Sequence, residues 1–335
     1  MLTNETNKTV DDSLMNSIQF IVLLTLQIPS ILISIVIFIY FVYNGLAGLK
    51  EHNYSILFLL VINFVQVVTQ IPLPMRYFYL NGIVQPATTS YCIWWMWYEF
   101  SLNAIHSFLM AWISIERHLF IFHNDFIRNI GMYKRRLLRI VPLLMCSMWG
   151  SSYNMLNIVI SPMCVTKPRF DRLLCGLPCF LFTKWGAVNL FIDVISPVIV
   201  ICIFNFALVI RVIHQKLIVV GRIENNWRRQ RKMAFQLGTI SFVYLAVWIP
   251  LSVAQIGEIY SPNFLFVQLD TFNFFVYIVP LITPMLCLIS MPEVLKKFKT
   301  LIFRQRRTAI MPLNGIVFRQ NNIIDRTRMV ATTNL

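Results

Sequence analysis

Glu99, Glu116 and Arg117 share a stretch, 92 to 121, that is otherwise mostly apolar and aromatic. Ionisable groups in such a run are costly in lipid and persist where they meet a partner, a ligand or a second protein. In Glu116-Arg117 the guanidinium can hold a neighbouring carboxylate or exchange it for another acceptor, which is the chemistry of a switch and not of bond cleavage. Glu99, 18 residues earlier and so about five helical turns away, can bind a cation or accept hydrogen bonds from Asn103, Tyr277 or a neighbouring helix. Other apolar stretches carry one or two polar residues each: Asn189 and Asp193, Gln255 and Glu258, Asp270 and Asn273. Several acids at one mouth favour a basic ligand. Asn63, His106 and Thr283 read chiefly as polar glue between helices, at about 0.6 kcal/mol each. Trp248 beside Pro250 marks a pivot, because proline lacks the N–H that would close the helical ladder.

Motifs for catalysis are missing. The sequence holds no His-Glu-x-x-His, phosphate loop, Gly-x-Ser-x-Gly or Gly-x-Gly-x-x-Gly, so no enzyme, metal site or cofactor is expected. What remains is recognition and signal transfer by side chains that apolar elements must position.

Those elements follow from composition. The 335 residues are 57% hydrophobic and 13% charged with mean hydropathy +0.66, whereas soluble domains carry about 25% charged residues. Seven stretches, at about 18–43, 54–78, 92–121, 138–161, 186–213, 233–257 and 264–289, reach the roughly 20 residues that a helix needs to cross a bilayer. The expected fold is an all-α membrane protein, a seven-transmembrane helix bundle over 18–291. A short amphipathic eighth helix is expected at 292–303 and a disordered tail at 304–335. Twenty-three of the 29 Lys and Arg fall after the first, third and fifth segments or in the tail. Positive loops stay cytoplasmic, so residues 1–17 form an extracellular N-terminus and the tail is cytoplasmic, in a plasma-membrane protein. The net charge of +15 then serves orientation and membrane lipid contact, and nucleic acid is not an expected partner. Asn4 and Asn7 each begin an Asn-x-Thr acceptor for N-glycosylation, which agrees with an outside N-terminus. Transporters show duplicated halves and channels show charged or carbonyl-lined filters; the chain has neither signature, which leaves a transporter or channel as the rival class.

Glu116-Arg117-His118 resembles the Glu/Asp-Arg-Tyr triplet of rhodopsin-like (class A) G-protein-coupled receptors. Cys92 stands 25 residues before Arg117, Trp149 is alone in the fourth segment, and Pro197 interrupts the fifth. Trp248-Ile249-Pro250 resembles the Trp-x-Pro of the sixth, Thr283-Pro284 the Asn-Pro of the seventh, and 292–298 the amphipathic helix that follows. The resemblance covers residues from about 18 to 303. It departs from the family at Asn63, Thr283 and Cys287, where an acid, Asn and Tyr are usual, and at Asn205, Gln230 and Tyr244, as in a divergent branch. The resemblance implies a receptor that binds an extracellular ligand through Glu99, Asn103, Asn189, Asp193, Trp248, Gln255, Asn273 and Tyr277. It implies that Glu116, Arg117, Tyr244, Trp248, Pro250 and Pro284 carry activation to a heterotrimeric G protein. A peptide is the preferred ligand, with a biogenic amine held by Glu99 as the alternative. A light receptor is excluded, because no lysine lies between Lys232 and Lys296 to form a Schiff base.

The family bridges its third-helix cysteine, here Cys92, to the second outer loop. Cys164, Cys175 and Cys179 compete for it. If Pro168-Arg169-Phe170-Asp171 turns a hairpin, Cys164 faces Cys175 and Cys179 falls to Cys92; Cys92–Cys175 is the chief rival. Cys146, Cys202 and Cys287 read as apolar fillers.

Overall fold

A computed structural model of the chain describes residues 2–43, 54–122, 131–160, 164, 166–218, 224–260 and 266–290, with side chains for most of them. Compact packing defines one unit at Met1–Val294, and the second, Leu295–Leu335, lies outside the described residues apart from its boundary. The expected amphipathic helix at 292–303 and the tail at 304–335 therefore fall outside the description.

The described residues are helical, without a strand. We label the helices α1 (Leu2–Tyr43), α2 (Tyr54–Tyr79), α3 (Thr89–Phe122), α4 (132–160), α5 (184–218), α6 (Glu224–Tyr260) and α7 (Phe266–Ser290). Helix α1 starts at Leu2, so residues 2–17 belong to the same helix as the first apolar stretch.

Three of these helices open into a wide turn one residue short of a proline: α2, α5, and α4 over Leu156–Ile160 ahead of Pro162. A proline cannot donate to the carbonyl four residues back, and its ring collides with that carbonyl. In α2 the ladder widens over Gln66–Gln70, where the Ile71 N–H reaches back to the Gln66 carbonyl at 3.1 Å, ahead of Pro72. In α5 it widens over Leu190–Ile195, where the Ser196 N–H donates to the Phe191 carbonyl, ahead of Pro197. Such bulges often accompany functional sites. Here they leave Gln66, Gln70 and Asp193 buried.

Helix α3 packs against α2, α4, α5 and α6, while α1 packs on α2 and α7, and α6 packs on both α5 and α7. Gly150 lets α4 lie close on α3: a Cβ there would sit 2.8 Å from Ile105 Cγ1. One core cluster joins Leu23, Val67, Ile71, Met75, Phe78, Phe274, Tyr277 and Leu281 across α1, α2 and α7. Another seats Trp95, Met96, Ile158, Leu174 and Phe180 around Cys92 and Cys175.

The outside is as apolar as the inside. Ile21, Ile28, Leu32, Ile35 and Ile39 of α1, and Ile199, Ile203, Phe206 and Ile210 of α5, are exposed at helical spacing. Contiguous exposed apolar surface on that scale needs a nonaqueous neighbour. Among the described residues, five helical segments are long and apolar enough to cross a membrane: Ser13–Tyr43, Tyr54–Tyr79, Lys184–Arg211, Gly238–Gly257 and Thr271–Ile289. The chain is thus a helical, multi-pass membrane protein. Helices α3 and α4 fall outside that set; Trp, Tyr, Ser and Asn dilute α3, and Lys134, Arg135, Arg136 and Arg139 begin α4.

Candidate functional site

The four prominent polar positions of α3 and α5 are held within the bundle by different neighbours. Glu99 is 3% exposed. Its Oε1 accepts from Gln70 Nε2 at 2.6 Å and from Asn103 Nδ2 at 3.2 Å. Gln70 reaches it because the wide turn before Pro72 swings that residue inward. Tyr277 and Trp95 also face the carboxylate, yet Oε2 has no partner within hydrogen-bond distance. On α5, Asp193 Oδ1 accepts from Trp149 Nε1 at 3.4 Å, Asn154 lies near it, and Oδ2 has no partner. Asn189, one turn before Asp193, is buried with its Oδ1 equally unpartnered.

These side chains face one cavity of about 320 Å³. Glu99, Asn103, Asn189, Asp193, Trp248, Gln255, Asn273 and Tyr277 all line it, so α3, α5, α6 and α7 bring together the eight ligand-binding candidates of the sequence. Phe100, Leu251, Val276 and the loop residues Leu174, Leu177 and Leu181 add apolar wall. The side chains of Glu258 and Asp270 lie outside the description, as do those of Asn4, Asn7 and the basic group Arg228, Arg229, Gln230, Arg231 and Lys232.

The loop between α4 and α5 corrects the expected disulfides. Cys92 is bonded to Cys175 and Cys164 to Cys179, with Cα–Cα distances of 5.7 and 6.0 Å; the pairs Cys92–Cys179 and Cys164–Cys175 do not form. The hairpin that would have set Cys164 against Cys175 is absent. Instead Leu173–Cys175 makes a tight turn in which Leu174, Cys175 and Gly176 have φ of 59°, 56° and 86°. Three successive left-handed residues reverse the chain and point Cys175 at α3, while the Arg169 N–H closes the loop on the Cys175 carbonyl at 2.8 Å. The Cys179 N–H donates to Thr166 Oγ1 at 3.3 Å, which holds Cys179 beside Cys164. A hydrogen bond from Arg169 keeps the exposed Asp171 carboxyl below its ordinary pKa. Helix α5 then begins with Thr183 Oγ1 accepting from the Trp185 N–H. Gly186 allows the loop to rest on this first turn, since a Cβ there would come within 2.0 Å of the Leu181 carbonyl oxygen.

Trp248 lines the cavity and continues into an aromatic column. Its ring stacks on Tyr244 with centroids 5.6 Å apart, and Tyr244 stacks on His106 at 5.8 Å. The Tyr244 and Ser107 hydroxyls are hydrogen-bonded, which ties α6 to α3. Pro250 breaks the ladder beside this column, and Ser252 Oγ donates to the Trp248 carbonyl at 2.6 Å.

The residues read as polar glue, Asn63, His106 and Thr283, show no hydrogen bond to one another among the contacts described. Asn63 Nδ2 instead donates to the Pro280 carbonyl at 2.8 Å. That carbonyl is the one Pro284 leaves without its ladder donor. Thr283 Oγ1 bonds within its own helix, to the Val279 carbonyl at 2.7 Å.

At the far end of α3, Glu116 Oε1 lies 3.6 Å from Arg139 Nε of α4, with both side chains almost fully buried. Ser55 of α2 faces the same carboxylate, and Arg117 is buried beside it. Asn205 Nδ2 of α5 reaches Ser114 Oγ at 3.3 Å. Sequence reasoning had counted Arg139 only as a positive loop residue and had overlooked Gln70. Arg139 is set apart by its place at the start of the apolar stretch 138–161, Gln70 by its place just before a Pro-x-Pro.

No family model matches the chain, and no curated protein matches it.

Proposed function

We infer that the chain is a seven-transmembrane receptor that binds an extracellular ligand in the cavity and activates a heterotrimeric G protein. The observation that carries this inference is the continuity of the polar and aromatic chain. Eight side chains from four helices line one cavity, and its Trp248 stacks through Tyr244 to His106 and Ser107 on α3. Helix α3 is the helix that ends in the buried Glu116-Arg117 pair. In this proposal α3 and α4 cross the membrane with the other five, the N-terminus faces outward at the plasma membrane, and the Arg117 end meets the G protein. A ligand acts only through its different affinity for the two packings of the bundle.

The volume of about 320 Å³ lies at the small end for ligand sites, and the loop leucines wall it. We therefore favour a small basic molecule over a peptide. In this proposal Pro250 and Pro284, which interrupt the hydrogen-bond ladders of α6 and α7, are the points at which the two packings differ.

The test is nucleotide exchange on a G protein by the purified chain in lipid nanodiscs, under a library of amines and peptides. Agonist-dependent exchange that is lost in Arg117→Ala, with binding retained, supports the assignment. Substrate flux in vesicles without exchange identifies a transporter or channel. Full exchange by Arg117→Ala removes the switch role of that arginine.

A further inference from the structure

The cavity wall has a surplus of acceptors. Glu99 and Asp193 both line it, and among the described residues no Lys, Arg or His does. Glu99 Oε1 accepts from Gln70 and Asn103, with Tyr277 and Trp95 also beside that carboxylate, and Asp193 Oδ1 accepts from Trp149, with Asn154 beside it. Each carboxylate keeps its other oxygen, Oε2 and Oδ2, buried and without a partner, and both residues are at least nine-tenths buried, at 3% and 5% exposure. Two more buried oxygens on the same wall, Asn189 Oδ1 and Gln255 Oε1, are also unpartnered. Buried polar atoms are nearly always satisfied, so four unpartnered acceptors on residues that line one cavity call for an occupant rich in donors.

A ligand with a single ammonium group meets one carboxylate and leaves the second uncompensated. A bare metal ion fits poorly, because its carboxylates must converge on one point at about 2.0–2.6 Å. Among the described residues no group of three His, Cys, Asp or Glu does so. The two acids come instead from different helices, with Leu251, Val276 and the loop leucines supplying apolar wall in the same cavity. Accepting this cavity as the ligand site, we propose that its occupant is an aliphatic dication, with one ammonium group on Glu99 and the other on Asp193. Its methylene chain lies against the apolar wall, and Asn189 and Gln255 take the remaining N–H groups.

The experiment measures binding to the full chain in nanodiscs by calorimetry. Its probes are straight-chain α,ω-diamines of increasing length, each paired with the monoamine of equal length. A charge-assisted hydrogen bond strengthens binding by about ten- to a hundredfold, so the best diamine should exceed its monoamine by at least about tenfold, with an optimum at one length. Glu99→Gln and Asp193→Asn should each bring the diamine down to the level of the monoamine. Thermal melting without ligand shows whether each variant is folded, and the length profile of the unaltered chain stands without them. Equal binding of diamine and monoamine, absence of any amine binding, or an undiminished preference in Asp193→Asn overturns the proposal. Diamine binding without nucleotide exchange removes the receptor assignment and leaves the dication site standing. Exchange driven by a neutral or singly charged compound, with no preference for diamines, does the reverse.

Discussion

Replacing Asn63 by Ala should destabilise the bundle by about 2 kcal/mol, and most of that cost should disappear if Pro284 is replaced as well. Asn63 is fully buried and gives its amide to the Pro280 carbonyl at 2.8 Å. That carbonyl needs it because residue 284, which would ordinarily donate, is a proline without an N–H. In Asn63→Ala the bond is lost, about 1 kcal/mol, and a buried acceptor is stranded, about 1–3 kcal/mol. Side-chain bonds between membrane helices run lower, near 0.6 kcal/mol with a maximum of about 1.7, which brings the sum to about 2. In Pro284→Ala the new N–H can close the ladder onto Pro280, so the asparagine becomes redundant there. The two substitutions should couple by about 1.5 kcal/mol, above the 0.3–0.5 kcal/mol within which independent sites add. Reversible unfolding of the four proteins in mixed micelles measures the cycle. Additive effects would refute the assignment of Asn63 as the substitute donor.

Three further outcomes follow from the same packing. Gly150→Ala should cost about 1–3 kcal/mol by overpacking, since its Cβ would press on Ile105, whereas Gly238→Ala, which meets nothing within 4 Å, should be neutral or gain up to about 1 kcal/mol; melting shifts of the same sign would contradict the α3–α4 contact. In Cys175→Ser, alkylation and mass spectrometry should find the new free thiol at Cys92, while a free Cys164 would restore the pairing drawn from the hairpin. Tyr244→Phe should keep its stack on Trp248 but strand the Ser107 hydroxyl, lowering stability by about 1–2 kcal/mol; stability equal to the parent would mean that this bond does not hold α6 to α3.

The positions of the rods and the residues around the cavity were legible for a simple reason. In an apolar helix that faces lipid, a polar side chain has one favourable direction, inward, so Glu99, Asn189, Asp193 and Gln255 converge wherever their heights match. Other features depend on departures from the regular helix. Gln70 lies beside Glu99 because the helix widens before Pro72, and a regular 3.6-residue period carried through that turn assigns it a different face. The disulfides were misjudged because symmetric counting assumes extended strands, while Leu174 and Cys175 take left-handed conformations that only the following Gly176 hints at. Arg139 has the composition of a loop residue but the burial of a core one, which only the approach of α4 to α3 reveals.

The prolines account for several of these features together. Each removes a donor from a helix that has no water to replace it, and the structure responds differently in each place. Before Pro72 and Pro197 the backbone widens and satisfies itself; the wide turns carry Gln70 to Glu99 and leave Asp193 buried at the cavity. At Pro284 the backbone stays narrow and a side chain from α2 supplies the donor. Strain relief in α2 and α5 therefore helps to set the geometry of the two carboxylates, and relief in α7 couples that helix to α2. Straightening α5 by Pro197→Ala would rotate Asp193 relative to Trp149 and to the cavity, so the spacing between the two acids depends on a residue that touches neither of them.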